Sequence, residues 1–264
     1  MYHSISAEAT PQFRPFAIAP VHFAEQMAYL HQHGYTPLTV SQFVRMRSTQ
    51  VSELPQRPVV ITFDDGFADF FTNALPVLQY YDFSATLYIA SGYINGTSRW
   101  LSHENETTRP MLTWEQLREI STYGIECGAH SHRHAQLDIL PSELVWDEIV
   151  RSKTTIEEQL GQPVQSFAYP YGYFTRAVRS LVQQAGFTSA CAVQFAMSRV
   201  STDVFALKRL IVKPETSIEL FAALLCGDHT SLCASMYLRT RTQLWQVARR
   251  CSAALTRSYR GGHV

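Results

Sequence analysis

The sequence predicts an α/β fold in which a parallel sheet is covered by helices, and three observations carry that expectation. Runs that read as strands alternate with runs that read as helices. The strand runs are short and nearly continuous in apolar residues. The 264 residues are 46% hydrophobic and 17% charged, which is material enough to bury both faces of such a sheet. Seven or eight strand–helix units would close into a barrel, with chemistry gathered at the C-terminal ends of the strands. A chain of this length buries roughly 70–75% of its extended surface, so disorder is excluded as the dominant state. Twenty-two basic and 22 acidic residues leave no net charge, and a neutral chain has no field for collecting nucleic acid.

The elements follow in order. Val21 to His33 reads as helix and Thr36 to Val40 as strand. Val59 to Phe63 is β-branched and apolar after Pro58 and stops at Asp64-Asp65-Gly66, which predicts a strand and its turn. Ala68 to Tyr80 reads as helix and Ala85 to Ala90 as strand. Thr113 to Tyr123 reads as helix, with Thr113 and Gln116 spaced as a capping box. Ile125 to Ala129 is a strand and Ser142 to Leu160 a long amphipathic helix. Ser166–Tyr169, Thr188–Val193 and Leu207–Val212 are further strands, with helices at 176–185 and 218–226. Asn95 to Arg109 is polar and reads as a loop overhanging the barrel mouth. There is no internal repeat.

Three segments carry chemistry, each just past an expected strand. In Thr62-Phe63-Asp64-Asp65-Gly66 the adjacent carboxylates point in different directions, so one can ligate a metal while the other faces substrate; the same letters also make an ordinary turn. In His130-Ser131-His132-Arg133-His134 the outer histidines are four apart, a spacing that puts both imidazoles on one side of a helical turn. His132 points away and reads as a bystander. One Asp and two His leave open positions on a metal, where bound water reaches a pKa of about 7 and a nearby carboxylate can take its proton. In Phe167-Ala168-Tyr169-Pro170-Tyr171-Gly172 a rigid turn offers the Tyr171 N–H to an oxyanion, or simply ends a strand.

In this order and at these intervals the segments resemble the polysaccharide deacetylase family (the NodB homology domain, carbohydrate esterase family 4), over about residues 1 to 215. The resemblance implies a distorted (β/α)7 barrel, taken as a single domain over 1–228, and the residues 229–264 read by their own composition as a basic, helical tail. It implies that Asp64 is the catalytic base, that Asp65, His130 and His134 are the metal ligands, and that Tyr171 is the oxyanion donor beside Pro170. Two departures stand out. The family Arg two positions before the Pro of the third segment is here Ala168, and Arg209 is the candidate replacement unless it is a surface Arg paired with a helix carboxylate. The late Leu-x-His segment is also missing, since Leu210-Ile211-Val212-Lys213 holds no His. The opening Tyr2-His3-Ser4 instead is similar to the start of the circularly permuted poly-N-acetylglucosamine deacetylases of the PgaB and IcaB type. That makes His3 the general acid, the alternative being a disordered terminal His.

The implied function is removal of acetyl groups, N-acetyl before O-acetyl, from a polysaccharide or its precursor, with metal-bound water as nucleophile. The cofactor is one divalent cation, zinc first, with cobalt, nickel or iron accepted by the same ligands. The alternatives are an inactive barrel that binds metal and glycan, and an amidohydrolase for a small non-sugar amide. Trp114 follows the mouth loop and is a candidate to stack on a sugar ring or to pack in the core; Trp100 has no assigned role. The expected partner is an acetylated glycan, not nucleic acid, and the sequence sets no oligomeric state.

From His229 onward there are six Arg and no acidic residue, so the tail carries +6 against −6 for the rest. The tail reads as a helix packed on the acidic body or as a contact for anionic lipid or a membrane-bound partner. The longest apolar run, Leu220 to Cys226, is seven residues, too short to span a bilayer. The opening residues lack the features of a secretory signal. Five Cys (Cys127, Cys191, Cys226, Cys233 and Cys251) form no CxxC pair, which suits reduced thiols. A cytoplasmic chain is expected, membrane-associated through the tail, or exported if a leader was trimmed.

Overall fold

A computed structural model of the chain describes residues 1–49, 55–193, 196–198 and 202–227; the basic tail lies outside the described residues. Five strands, β5 (Thr62–Phe63), β6 (Ala85–Ile89), β7 (Ile125–Ala129), β8 (Ser166–Ala168) and β9 (Ser189–Cys191), form one parallel sheet in sequence order. Every residue of β6, β8 and β9 is buried, as a sheet covered on both faces requires. The sheet curls into a half-barrel. Outward residues such as Leu87, Ile89, Ile125, Cys127 and Phe167 join the main core with the surrounding helices, whereas Tyr88, Ala168 and Cys191 belong to a separate cluster on the inner face.

Seven α-helices are described: α1 (Pro20–Gln32), α2 (Val40–Thr49), α3 (Leu75–Tyr80), α4 (Trp114–Ile120), α5 (Ser142–Leu160), α6 (Arg176–Gln184) and α7 (Ile218–Cys226). Thr113 and Gln116 form the expected capping box at α4. The N-terminus of α2 plugs the lower end of the curled sheet. Val40 N–H donates to Thr86 Oγ1 at 2.9 Å, and the Glu126 carboxylate accepts from the Ser41 N–H and hydroxyl at 3.0 and 2.6 Å and from Ser166 Oγ at 2.6 Å. A carboxylate is stabilised there by the free N–H groups and positive end of the helix.

Several expectations are corrected. The run expected as one strand over 59–63 changes partner midway: β4 (Pro58–Val60) pairs with β3 (Thr36–Leu38), and β5 begins after Ile61. The helix expected over 68–80 opens as a wide turn over Phe70–Ala74 before α3. Pro76 is the physical reason, because its ring collides with the carbonyl four residues back in a regular helix and it has no N–H to donate. Leu207–Val212 is not a regular strand; it contributes a bridge from Leu207 to Cys191. Two short strands, β1 (Ser4–Ile5) and β2 (Ala17–Ile18), pair in parallel and were not expected.

The N-terminal residues lie between the two edges of the half-barrel. Tyr2 N–H donates to Thr62 O at 2.8 Å and Asp64 N–H to Tyr2 O at 3.0 Å on one side. On the other, Val212 N–H donates to Met1 O at 3.1 Å and the Met1 nitrogen to Leu210 O at 3.0 Å. Cys127 and Cys191 are buried and Cys226 exposed, all three unbridged. Among the described residues no helix is long and apolar enough to cross a membrane.

Candidate active site

The three segments meet at the C-terminal ends of β5, β7 and β8. The described residues include seven non-glycine positions with positive φ, and four of them, Asp65, Ser131, His134 and Tyr171, fall in these segments. Such backbone costs about 1–3 kcal/mol per residue and persists only where its surroundings hold it. The strain therefore marks a built site.

Asp65, at φ 80°, directs its carboxylate toward two imidazoles. Its Oδ1 lies 3.2 Å from His134 Nε2 and 3.5 Å from His130 Nε2. One ligand atom from each of Asp65, His130 and His134 fits within 4.8 Å of the others, and all three residues are buried. The expected helical turn is absent: Ser131 and His134 adopt left-handed φ, and an irregular loop brings the histidines together. His130 Nδ1 lies 2.8 Å from the Ala168 carbonyl oxygen. A carbonyl only accepts, so Nδ1 carries the proton and Nε2 keeps its lone pair. Burial holds the His130 pKa down at about 4, which keeps the ring neutral as a ligand must be. Asp65 Oδ1 is buried without a hydrogen-bond partner. A buried, unpaired carboxylate oxygen between two imidazole nitrogens fits a divalent cation with open positions.

The metal loop is anchored from α5. Glu148, fully buried, accepts from Arg133 N–H and Nε, each at 2.7 Å. His132 turns away toward Ser91 Oγ at 2.9 Å.

Asp64 lies beside the cluster, its Oδ2 3.9 Å from His130 Nε2, and turns mainly toward Arg209. Arg209 grips it at both oxygens, Nη1 to Oδ1 at 2.6 Å and Nη2 to Oδ2 at 2.8 Å, with further bonds to Thr62 Oγ1 and the Ala192 carbonyl. Burial opposes the Asp64 charge, but Arg209 and then His130 outweigh it and hold the carboxyl well below the usual range. Arg209 is 6% exposed, so it is not a surface Arg, and its two-pronged contact with Asp64 fits the replacement role rather than a substrate contact. Its donors are spent on Asp64, Thr62 and the Ala192 carbonyl.

His3 lies in the field of Asp65, Asp64, Arg209 and His134, and burial lowers its pKa. Its ring meets Phe16 edge-on at 5.2 Å. In the Pro170-Tyr171-Gly172 turn, Gly172 N–H bonds Tyr169 O and Tyr173 N–H bonds Pro170 O, leaving the Tyr171 N–H outside the turn's own bonds. Gly172 is required: at φ 72° a Cβ would lie 2.5 Å from Val193 Cβ. Pro170 is buried and shapes the turn from within. The Tyr171 ring, 41% exposed, lies 4.7 Å from His134.

Trp114 opens α4 and packs on the main core, the second of its two expected roles. Sequence reasoning missed Trp100, whose ring lies 5.2 Å from His134 and 4.5 Å from Tyr93. It sits in the polar mouth loop, where no periodicity marks it. Glu148 had a faint signal, as a polar residue in the buried stripe of Val145, Ile149 and Ile156.

A buried Asp-His-His cluster beside a second, ionised carboxylate, at the strand ends of a curled parallel sheet, defines a metal-assisted hydrolase class of site. The chain belongs to the polysaccharide deacetylase family, whose family model matches residues 52–190. YxkH of Bacillus subtilis (strain 168) is 26% identical over 223 residues, 84% of this chain and 74% of that protein. The poly-beta-1,6-N-acetyl-D-glucosamine N-deacetylase of Escherichia coli (strain K12) is 28% identical over 123 residues, 46% of this chain but 18% of its own length. The solved structure of Streptococcus pyogenes deacetylase PplD has the same fold, with a TM-score of 0.73 at 24% identity over 85% of this chain and 96% of that one.

Proposed function

We propose that this protein is a metal-dependent N-deacetylase acting on an acetylated amino-sugar polymer or its precursor. The observation that carries this reading is the Asp65, His130 and His134 cluster, with its unpartnered oxygen, next to an Asp64 kept ionised by Arg209. Zinc is the first candidate for the cation, ahead of cobalt, nickel and iron, which accept the same donors. Bound there, a divalent cation would lower the pKa of water to about 7 and polarise an acyl oxygen.

The chain's own residues supply the rest. Asp64 accepts the proton of the water that attacks the acetyl carbon. The Tyr171 N–H donates to the carbonyl oxygen as charge develops on it. His3 gives a proton to the departing nitrogen, so the C–N bond breaks to leave a free amine and acetate. Stacked Tyr171 and Tyr173, 5.9 Å apart at 15°, favour a sugar over a small amide at the mouth. The name of the E. coli relative makes poly-N-acetylglucosamine the first substrate to try. The reading of an inactive barrel rested on Ala168 and on the missing late His; the two-pronged Arg209 grip on Asp64 answers the first, and His3 would answer the second. We read the fold as a (β/α)7 barrel over 1–228, with Met1–Tyr2 and the 207–212 segment as its remaining staves.

The test is acetate release from N-acetylglucosamine oligomers, with and without chelator, alongside elemental analysis. Release matched by new free amines, abolished by chelation and restored by zinc or cobalt, is expected. A metal-loaded protein that frees acetate only from small non-sugar amides, or from nothing, overturns the assignment.

A further inference from the structure

His3 is held on its N-terminal side by the Tyr2 backbone bonds to Thr62 and Asp64, but its C-terminal support is thin. The strand that follows it, β1, has two residues and pairs only with the two residues of β2. So small a pairing does not hold its own position in water. The outward groups of β1 are instead taken by side chains from the turn after β5. Asp69 Oδ1 accepts from Ile5 N–H at 3.0 Å, Asp69 Oδ2 accepts from Ser4 Oγ at 2.6 Å, and Asn73 Nδ2 donates to Ile5 O at 2.7 Å. Asp69 and Asn73, four apart, do for β1 what a neighbouring strand would.

The arrangement is braced from the mouth loop. Arg109 Nη1 reaches Asp69 Oδ2 at 3.4 Å and Ser4 Oγ at 3.3 Å, and its Nη2 donates to Glu8 O at 2.7 Å. Its guanidinium lies 4.7 Å from the centre of the Phe13 ring, and Glu106 faces its Nε at 3.3 Å. Both partners are largely buried, at 10% and 13% side-chain exposure, where charge-assisted bonds are strong and costly to break.

We propose that Asp69, braced by Arg109, is a positioning residue for His3: it sets how far the imidazole reaches toward the leaving nitrogen. The proposal rests on His3 as the general acid. An amine leaves only with a proton, whereas an aryl alcohol leaves without one, and this difference separates positioning from mere support.

The experiment compares N-acetylglucosamine oligomers with 4-nitrophenyl acetate on metal-loaded wild type, Asp69→Ala, Asp69→Asn and His3→Ala, with metal content measured on each. Misplacing a catalytic group by about 1 Å costs on the order of 10²-fold. Asp69→Ala should therefore lose about that factor in kcat on the amide with KM little changed, while aryl acetate turnover and metal content stay close to wild type. Asp69→Asn keeps an acceptor for Ile5 and a donor for Ser4, and should recover part of the loss. If Asp69→Ala does not fold, Ser4→Ala removes one bond and should show a smaller loss with the same selectivity for the amide. Equal losses on both substrates, or no loss on either, overturn the positioning role. If His3→Ala itself loses both substrates alike, the assignment of the acid fails instead, which is a distinct result.

Discussion

Asp64 and Asp65 are neighbours in sequence, yet a left-handed φ at Asp65 gives them different main partners, with His130 in reach of both. One carboxylate meets two imidazoles and the other a guanidinium. Asp64→Asn should lower kcat by about 10²–10⁴ while the cation stays bound, read by turnover and elemental analysis side by side; near-normal turnover would remove Asp64 from the chemistry. Arg209→Ala gives a different signature. Burial pushes the Asp64 pKa up and Arg209 is the largest influence holding it down, so without Arg209 the carboxyl titrates higher. The acid limb of the pH–rate profile should then move to higher pH, and an unmoved limb would refute the pairing. Asp64 and His130 were legible because each directly follows an apolar run, and Asp65 and His134 because of their spacing from them. Arg209 was legible only as one of two alternatives, since nothing in Leu207-Lys208-Arg209-Leu210 says which way its side chain goes. Trp100 was illegible: its partner His134 is remote in the chain, and the two meet only through the fold.

At the scale of elements, long periodic runs were readable and short or partner-switching ones were not. α7 and β7 appear with the expected bounds, because strong apolar periodicity and terminal glycines mark them. α2 was missed although its signal was present: Thr39 N–H donates to Gln42 Oε1 and Gln42 N–H to Thr39 Oγ1, the same reciprocal pair that revealed α4. β1 was unreadable because two residues have no period, and its stability comes from Asp69 and Asn73. The metal loop has no element of its own, so its geometry depends on Glu148. Glu148→Gln keeps the shape but weakens the grip on Arg133, and should cut metal affinity about 10–100-fold, the range for outer partners of ligands. Competition with a chromophoric chelator would measure it, and unchanged affinity would show that the loop holds itself.

For the whole molecule, the buried histidines set a pH dependence with a definite sign. In the metal-free protein His130 has its pKa lowered to about 4, and His3 is lowered as well, both first by burial. The unfolded chain regains the ordinary histidine value of about 6.5. Between these limits the unfolded state binds more protons, so stability rises with pH. Chelated protein should unfold at lower urea at pH 5 than at pH 7; equal midpoints would show that neither ring is held neutral by the fold.

His3, the proposed general acid, and Arg209, which grips Asp64, come from two segments that meet between the edges of the half-barrel, where Met1 bonds Leu210 and Val212. A lesion there, such as loss of the Met1 to Leu210 contact, would leave helix content and the metal cluster nearly intact while turnover collapses. On the proposed mechanism, acetate release would report on that junction where helix content does not.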